Sequence, residues 1–389
     1  MPSSHATAQS RALPLDSLAT TGRPQEIVLL GASLSHLEFL AQLRARPLPQ
    51  ARVTLVNADS RLLPHDRLAE ALSGDVALAD CQIGLEPLAL ACGARWRQGR
   101  VAQLNLSAQT ITLMDGTVLR FDWLSLSPRC WDNRESVAQE IPGALDHSLF
   151  SHPVERFMAL WPRVLELHAK RPLRITVLGG GPRGAELAFA IKRRLPQAAL
   201  TWLTLGPAAA DSELEGKALE QALRAGDITV LHDRALAIAQ GSVQLACGAA
   251  LASDVPIVAQ ALDIPEWLRR SGLLPAQSSD PRTTSGVPLV DTWSRCTGHP
   301  QVFLAPEADA ALGHNLAASV LGASLRAIPS PRSKGLRWFW RRHGLSLQWA
   351  PMPLRGPFSS WAKSVHDGGL HARYQTTRIN PQGQDGHPQ

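Results

Sequence analysis

The 389-residue chain lacks the signatures of disulfide-stabilised, metal-binding and membrane-spanning proteins. Its five cysteines are scattered, and none forms a C-x-x-C pair or stands at metal-ligand spacing from a histidine. No apolar run approaches the roughly 18–20 residues that span a bilayer, and the N-terminal stretch has no apolar segment typical of a signal peptide. These absences predict reduced thiols, no metal ion and a cytoplasmic protein.

Positive charge is unevenly distributed along the chain. There are 39 Lys and Arg against 33 Asp and Glu, a formal charge of +6. Much of this excess lies after Ser330, where basic residues meet few acids. The pattern indicates a basic C-terminal extension, and it predicts no nucleic-acid-binding domain.

The chain is organised around residues 174–191, where an apolar run leads into glycines and then into helix-forming residues. Residues 175–178 have the pattern of a buried parallel strand. The glycines after it follow the G-x-G-x-x-G spacing: Gly179, Gly181 and Gly184, with Gly180 between the first two. The first glycine permits a tight turn, the second lets the backbone approach a pyrophosphate, and the third lets helix and strand pack closely. The pattern favours a dinucleotide site over a purely structural turn.

The strand after this helix lacks the residue that usually selects the coenzyme. Residues 200–205 complete a strand–helix–strand unit. Their end carries no acid for a ribose 2′-hydroxyl and no Arg for a 2′-phosphate. The sequence therefore leaves the choice of coenzyme open.

A strand–turn–helix unit with a degenerate glycine motif begins at residue 26. Residues 27–30 predict a strand, a helix follows to about residue 43, and residues 52–56 predict the next strand. Only Gly31 keeps its place in the motif, because Ser33 and His36 stand at the other two positions.

These replacements change what the first turn can bind. The Cβ of Ser33 stands where a pyrophosphate would contact bare backbone, whereas the His36 ring could donate a hydrogen bond. Asn57, where a ribose-binding acid usually stands, offers only a neutral hydrogen bond. By itself, this unit favours a plain strand-to-helix turn over a nucleotide site.

The order of these motifs resembles the two-dinucleotide-binding-domain flavoproteins, the pyridine nucleotide-disulfide oxidoreductase superfamily, near type II NADH dehydrogenases. Within it, the sequence is similar to a bacterial group associated with selenide, water dikinase. The resemblance runs from about residue 26 to residue 325. The segments that support it are 29–38, 53–56, 142–144, 177–188, 265–268, 271–273 and 299–303.

The resemblance implies an α/β fold with two interleaved Rossmann-like domains, each with antiparallel β insertions. Residues 110–121 fit one insertion, since they predict a hairpin with an Asp-Gly turn. Late segments of the chain would return to the first domain. The predicted organisation is a disordered leader at 1–25, an FAD-binding-like domain at 26–150 and 285–328, an NAD(P)-binding-like domain at 151–284, and a basic, Trp-rich extension at 329–389.

The resemblance also implies an activity. FAD would lie on the first unit, NAD(P)H on the second, and hydride would pass from nicotinamide to flavin and on to an unknown acceptor, such as a quinone. Glu186 would lie near the contact between nicotinamide and flavin; its alternative role is a capping acid in the first helical turn. The FAD positions would be Gly31, Ser33, His36, Asn57 and Glu307.

Several positions depart from the family pattern. Pro306 and Glu307 replace a Gly-Asp pair, although Glu307 could still accept a bond from a ribityl hydroxyl. Residues 127–129 and 259–261 lack glycines that the family has. These departures predict weakly held FAD. They also leave a second hypothesis, a non-catalytic nucleotide-binding or partner-binding protein that has lost tight FAD binding.

Residues 336–343 combine tryptophans with arginines. One interpretation is peripheral contact with the inner face of a membrane, as in type II dehydrogenases, and another is contact with nucleic acid. The third is a helix that packs its tryptophans on the domains and exposes its arginines. The run is short for firm membrane binding, which favours the packed helix.

Overall fold

The structure is a computed structural model that describes residues 23–127, 134–179, 181–205, 213–259, 264–274, 288–306, 309–328, 337–341, 344–349 and 352–355. Its helices are α1 Leu34–Ala45, α2 His65–Ser73, α3 Leu78–Cys81, α4 Leu85–Ala91, α5 Arg134–Glu140, α6 Ala144–His147, α7 Val154–Lys170, α8 Gly181–Arg194, α9 Glu213–Ala225, α10 Glu266–Arg269 and α11 Ala311–Leu321. Its strands are β1 Gln25–Leu30, β2 Ala51–Asn57, β3 Arg61–Leu62, β4 Ile83–Gly84, β5 Arg95–Gln98, β6 Val101–Asn105, β7 Thr110–Leu113, β8 Val118–Arg120, β9 Trp123–Leu126, β10 Leu149–Phe150, β11 Arg174–Leu178, β12 Ala199–Thr204, β13 Ile228–His232, β14 Ala235–Ala239, β15 Ser242–Leu245, β16 Ala250–Ala252, β17 Val255–Val258, β18 Arg295–Cys296, β19 His299–Leu304, β20 Arg337–Arg341, β21 Gly344–Trp349 and β22 Met352–Arg355.

The first sheet has the strand order β18–β19–β9–β1–β2–β5 and is parallel except at β18. Alternate residues of β1 enter different cores: Ile27 and Leu29 pack on the side of α1 and α11, and Val28 and Leu30 on the other side. A strand that is buried on both faces has apolar residues at successive positions and no alternation of polar and apolar residues. This accounts for the unbroken apolar run before Gly31.

The second sheet has the strand order β10–β17–β11–β12–β13, and all its strands are parallel. Its central strand, β11, ends at Leu178, which pairs with Leu203 on one side and Val258 on the other. Each sheet is accompanied by a three-stranded antiparallel insertion, β6–β7–β8 and β14–β15–β16. The predicted α/β fold with two parallel sheets and antiparallel insertions is therefore confirmed.

Helix α2 follows two strands of the first sheet but packs in the core of the second. Its Leu68 and Leu72 are buried with Phe157 of α7 and Ile191 of α8. Two further contacts hold this region to the second unit. The Leu63 N–H donates to a Glu155 carboxylate oxygen at 2.9 Å, and Arg193 pairs with Asp75 at 2.6 Å. The two sheets are therefore joined by packed side chains as well as by the chain itself.

Residues 337–341 form strand β20, so the predicted helix in the C-terminal extension is wrong. Strand β20 is antiparallel to β21, with Arg337 opposite Gln348, and its backbone runs beside α8. Three consecutive aromatic residues, 338–340, favour a strand over a helix. Membrane contact by residues 336–343 stays a prediction. In the part of the chain that the structure describes, no helix has the length and apolarity needed to cross a bilayer.

Candidate functional site

Two glycine turns lie at the carboxyl ends of the central strands. Turn 1 comprises residues 31–36, from the end of β1 into the first residues of α1, and turn 2 comprises residues 179–184, from the end of β11 into the first residues of α8. In each sheet the central strand is flanked by strands reached through different connections, β2 and β9 in one and β12 and β17 in the other. Open α/β sheets bind their ligands outside the carboxyl ends of the strands at such a point.

The first glycine of each turn has the same conformation and the same closing hydrogen bond. Gly31 has φ 79° and Gly179 has φ 70°, in the left-handed region that favours glycine. The Gly31 N–H donates to Val56 O at 2.8 Å, and the Gly179 N–H donates to Leu203 O at 2.8 Å. The tight turn expected of both glycines is therefore present.

Turn 2 depends on the absence of a side chain at Gly184. A Cβ built there would lie 2.0 Å from the Gly179 carbonyl oxygen and 3.1 Å from Trp202 Nε1. Trp202 Nε1 donates to that same carbonyl oxygen at 3.0 Å. The third glycine thus allows the close packing of helix and strand that is expected of it. The buried Trp202 provides the hydrogen-bond donor for the Gly179 carbonyl oxygen.

The first helical turn of α8 offers no side chain that could cap it. Helix α8 begins at Gly181, which has φ 53°. The side chains at 181–184 are those of Gly, Pro, Arg and Gly, none of which contains a hydrogen-bond acceptor. The backbone N–H groups at this helix N-terminus therefore need a partner from outside the turn, and an anion is favoured there. These residues fit a dinucleotide pyrophosphate. Gly180 lies outside the described residues.

In turn 1 the imidazole of His36 occupies the place of the third glycine. His36 is fully buried, its Nδ1 is bonded to the Gly31 carbonyl oxygen, and its Nε2 lies 2.8 Å from Ser125 Oγ on β9. Because a carbonyl only accepts, Nδ1 carries the hydrogen and Nε2 accepts from the serine hydroxyl. Burial lowers the pKa of His36 to about 4, although the Gly31 carbonyl opposes this shift. The ring is therefore neutral at pH 7, and both its nitrogens have protein partners.

Two backbone N–H groups of turn 1 are also bonded to side chains of the protein. Ser33 is the N-cap of α1, and its hydroxyl accepts from the His36 N–H at 3.3 Å. Asn57 Oδ1 accepts from the Ala32 N–H at 3.0 Å, while Asn57 Nδ2 donates to Asp59 O at 2.8 Å. In a dinucleotide turn, N–H groups at this position face the pyrophosphate. Turn 1 therefore accepts a phosphate only in competition with Ser33 and Asn57.

Ser35 joins turn 1 to a distant segment of the chain. Its Oγ donates to the Pro306 carbonyl oxygen at 2.7 Å and accepts from the Asp309 N–H at 2.7 Å. The Asp309 carboxylate in turn accepts from the Ala311 N–H at the start of α11. Glu307, expected to meet the flavin, lies outside the described residues.

Sequence reasoning missed Ser35 and Ser125. One signal was present for Ser125, a polar residue in the otherwise apolar strand β9 that the structure buries completely. A polar side chain in a buried strand requires a hydrogen-bond partner. The sequence does not name that partner.

Glu186 lies in the second turn of α8 and is partly buried. The alternative that it caps the first helical turn is wrong, because α8 begins at Gly181 and its first turn contains no acid. The helix dipole acts mainly on the first turn, so it gives Glu186 no special role there. Its placement near the nicotinamide stays a prediction.

Several solved structures have a similar fold. No family model and no curated protein matches the sequence. A sulfide:quinone oxidoreductase from Aquifex aeolicus has a TM-score of 0.67 at 14% identity, over 92% of this chain and 93% of that chain. NDH2 from Plasmodium falciparum, in complex with NADH, has a TM-score of 0.64 at 13% identity, over 92% and 98%. A water-forming NADH oxidase from Lactobacillus brevis, bound to NADH, has a TM-score of 0.63 at 17% identity, over 84% and 75%. The chain has the fold of the two-dinucleotide-binding FAD/NAD(P) oxidoreductases, which confirms the resemblance at the level of fold.

Proposed function

We propose that this protein is an FAD-dependent NAD(P)H oxidoreductase, with the nicotinamide nucleotide at turn 2 and the flavin at turn 1. The observation that carries the proposal is turn 2, where Gly184 brings α8 against the Gly179 carbonyl and none of the side chains at 181–184 contains an acceptor that could cap the helix. Two of the similar structures are described as bound to NADH, which supports this choice of nucleotide.

The chain's own residues would position the nucleotide. The N–H groups at the start of α8 would bind the pyrophosphate, and Gly181, which has no Cβ, would allow it to approach the backbone. Trp202 holds the Gly179 carbonyl in place beneath the helix. When both groups are bound, the nicotinamide supplies a hydride and the flavin accepts it. The acceptor after the flavin is proposed to be a quinone, as the name of the Aquifex enzyme suggests for that protein.

Flavin binding at turn 1 would require the displacement of protein hydrogen bonds. A pyrophosphate there would compete with Asn57 for the Ala32 N–H and with Ser33 for the His36 N–H. Two competing bonds of about 1 kcal/mol each correspond to roughly thirtyfold weaker binding. We therefore expect FAD to be readily lost, and NAD(P)H oxidation to be slow unless FAD is added.

A second candidate function is a non-catalytic nucleotide-binding protein. The observation that favours it is the same set of bonds in turn 1, which gives the first unit internal partners where a flavin would otherwise supply them. In that case only turn 2 would bind a dinucleotide. The visible spectrum of the purified protein separates the two candidates.

Nucleotide binding at turn 2 can be measured by calorimetry with NADH and NADPH. We expect Gly181→Ala to weaken binding at least about tenfold, because its Cβ would lie between backbone and pyrophosphate. Gly241→Ala is the matched control, since Gly241 also has positive φ, 78°, and its added Cβ would meet nothing within 4 Å. Unchanged binding in Gly181→Ala, or equal losses in both variants, would contradict the assignment of the site.

Flavin binding is measured by the visible spectrum before and after addition of FAD. We expect a flavin spectrum to develop with added FAD, together with NAD(P)H-dependent bleaching. If added FAD produces neither, while calorimetry still detects nucleotide at turn 2, the oxidoreductase proposal fails. The non-catalytic candidate then takes its place.

A further inference from the structure

The end of β12 determines how a nucleotide at turn 2 would be recognised at its ribose. In this strand–turn–helix arrangement, an acid at the end of the second strand hydrogen-bonds the ribose 2′-hydroxyl. Strand β12 ends at Thr204, whose side chain is buried, and Leu205 follows it with 80% of its surface exposed. Thr204 corresponds to Asn57 of the first unit, since each follows the residue whose carbonyl accepts from the first glycine of its turn. Neither Thr204 nor Leu205 has a carboxylate that could accept from a 2′-hydroxyl. The feature that selects NADH is therefore absent at this position.

Two carboxylates on elements next to β12, among the residues that the structure describes, are engaged by protein groups. Asp233 follows β13, and its two oxygens accept from the N–H groups of Arg234, at 2.7 Å, and Cys247, at 3.3 Å. The Glu220 carboxylate lies 3.2 Å from His232 Nε2. Both carboxylates therefore already have protein partners.

Arg234 is a cation at the same edge of the sheet. Thr204 pairs with His232 across β12 and β13, and Arg234 comes two residues after His232. Because neighbouring strands lie about 4.8 Å apart, an arginine side chain at this position is long enough to reach the end of β12. Arg234 is exposed, and its guanidinium has no ion-pair partner among the residues that the structure describes. Guanidinium groups bind phosphates through charge-assisted hydrogen bonds.

We propose that turn 2 prefers NADPH to NADH, with Arg234 binding the 2′-phosphate and no carboxylate at Thr204 or Leu205 to repel it. This inference rests on the proposed function, because it needs a coenzyme at turn 2. An exposed arginine is screened by solvent, so NADPH is expected to bind about threefold to tenfold more tightly than NADH.

The test is calorimetric titration of the full chain with NADPH and NADH at low ionic strength. Arg234→Gln should bring the ratio of the two affinities close to one, by weakening NADPH alone. Leu205→Asp should reverse the preference, since its carboxylate would accept from the 2′-hydroxyl and repel the 2′-phosphate. Both side chains are exposed, so neither change disturbs the core.

Arg171→Gln is the matched control for net charge. Arg171 precedes β11 and therefore lies at the opposite, amino edge of the same sheet, where Arg174 would still pair with Asp254. This variant should keep the wild-type ratio. Its affinities also report any general effect of removing one positive charge.

The outcomes separate this inference from the proposed function. Equal affinities in the wild type, tighter NADH, or a ratio unchanged by Arg234→Gln would overturn the NADPH assignment while leaving turn 2 as the nucleotide site. Binding of neither nucleotide would overturn the proposed function and the coenzyme preference together.

Discussion

Turn 1 and turn 2 each bring a helix against the end of a buried strand, but different side chains donate to the carbonyl of the first glycine in the two turns. In turn 2, Gly184 leaves room for the Gly179 carbonyl, and the indole of Trp202 donates to it from the neighbouring strand. In turn 1, His36 comes from the helix itself and bonds the corresponding carbonyl, that of Gly31. In both turns, the carbonyl oxygen of the first glycine therefore has a hydrogen-bond donor.

The difference shows that two strand–turn–helix units can share a backbone conformation and still differ in how many backbone N–H groups they offer to a ligand. Turn 1 has Ser33 and His36 at the positions where turn 2 has Gly181 and Gly184, and the Ser33 hydroxyl accepts from one backbone N–H of the turn. Turn 2 has no such side chain in its first helical turn. The fold needs only the first glycine and a satisfied carbonyl, whereas phosphate binding needs N–H groups without internal partners.

The largest effect is expected when turn 2 receives a side chain. Gly184→Ala would place a Cβ 2.0 Å from the Gly179 oxygen, so the helix would have to move. We expect the free energy of unfolding to fall by about 4 kcal/mol or more. Urea unfolding followed by circular dichroism measures this. Gly248→Ala is the control, because its Cβ meets nothing within 4 Å and only its φ of 88° causes strain, about 1 kcal/mol. Similar losses in the two variants would contradict the packing argument.

The imidazole of turn 1 should make stability depend on pH. Because burial holds the pKa of His36 at about 4 in the folded protein, the unfolded chain, at about 6.5, binds the proton first. Unfolding should therefore become easier as the pH falls from about 6.5 to about 4, by about 3 kcal/mol in total. Urea unfolding at several pH values measures this slope. A His36→Gln variant should lose that part of the slope, and an unchanged slope would show that the ring does not titrate in this way.

The indole of turn 2 contributes one hydrogen bond that can be removed alone. Trp202→Phe should lower the free energy of unfolding by about 1–2 kcal/mol beyond the loss of size, because the Gly179 oxygen loses a donor. Trp161→Phe is the matched control. Both tryptophans are 3% exposed, and Trp161 Nε1 has no hydrogen-bond partner among the described residues. The free energy of unfolding of both variants is measured by thermal or urea unfolding. An equal decrease in the two would show that the smaller side chain, and not the lost hydrogen bond, causes the effect.

The smallest effect is expected from opening turn 1. Ser33→Gly removes both the Cβ and the hydroxyl that bonds the His36 N–H, and should tighten FAD binding by about fivefold. Ser33→Ala keeps the Cβ and should give only part of this gain. Titration of FAD fluorescence measures both. If neither variant binds FAD more tightly than the wild type, Ser33 does not limit FAD binding at turn 1.

Local pattern was sufficient to predict the elements that frame both turns. The apolar run at 27–30 and the glycines at 179–184 give β1, β11 and their turns because strand period and glycine conformation depend on a few neighbouring residues. The same approach failed at residues 337–341, where consecutive aromatic residues form a strand. It also failed for the alternative capping role of Glu186, because α8 begins at Gly181 and its first turn contains no acid.

The sequence by itself determined the two strand–glycine–helix units, the degenerate motif of the first and the intact motif of the second. Only the tertiary structure decided which polar groups occupy turn 1. His36 bonds a serine 89 residues away, Asn57 bonds Ala32 across 25 residues, and Ser35 bonds Pro306 across 271 residues. The physical reason is that a hydrogen bond joins groups that folding brings within about 3 Å, whatever their separation along the chain. Which carbonyl or N–H meets a side chain is therefore settled by the packing of the sheet, and with it whether the turn can accept a phosphate.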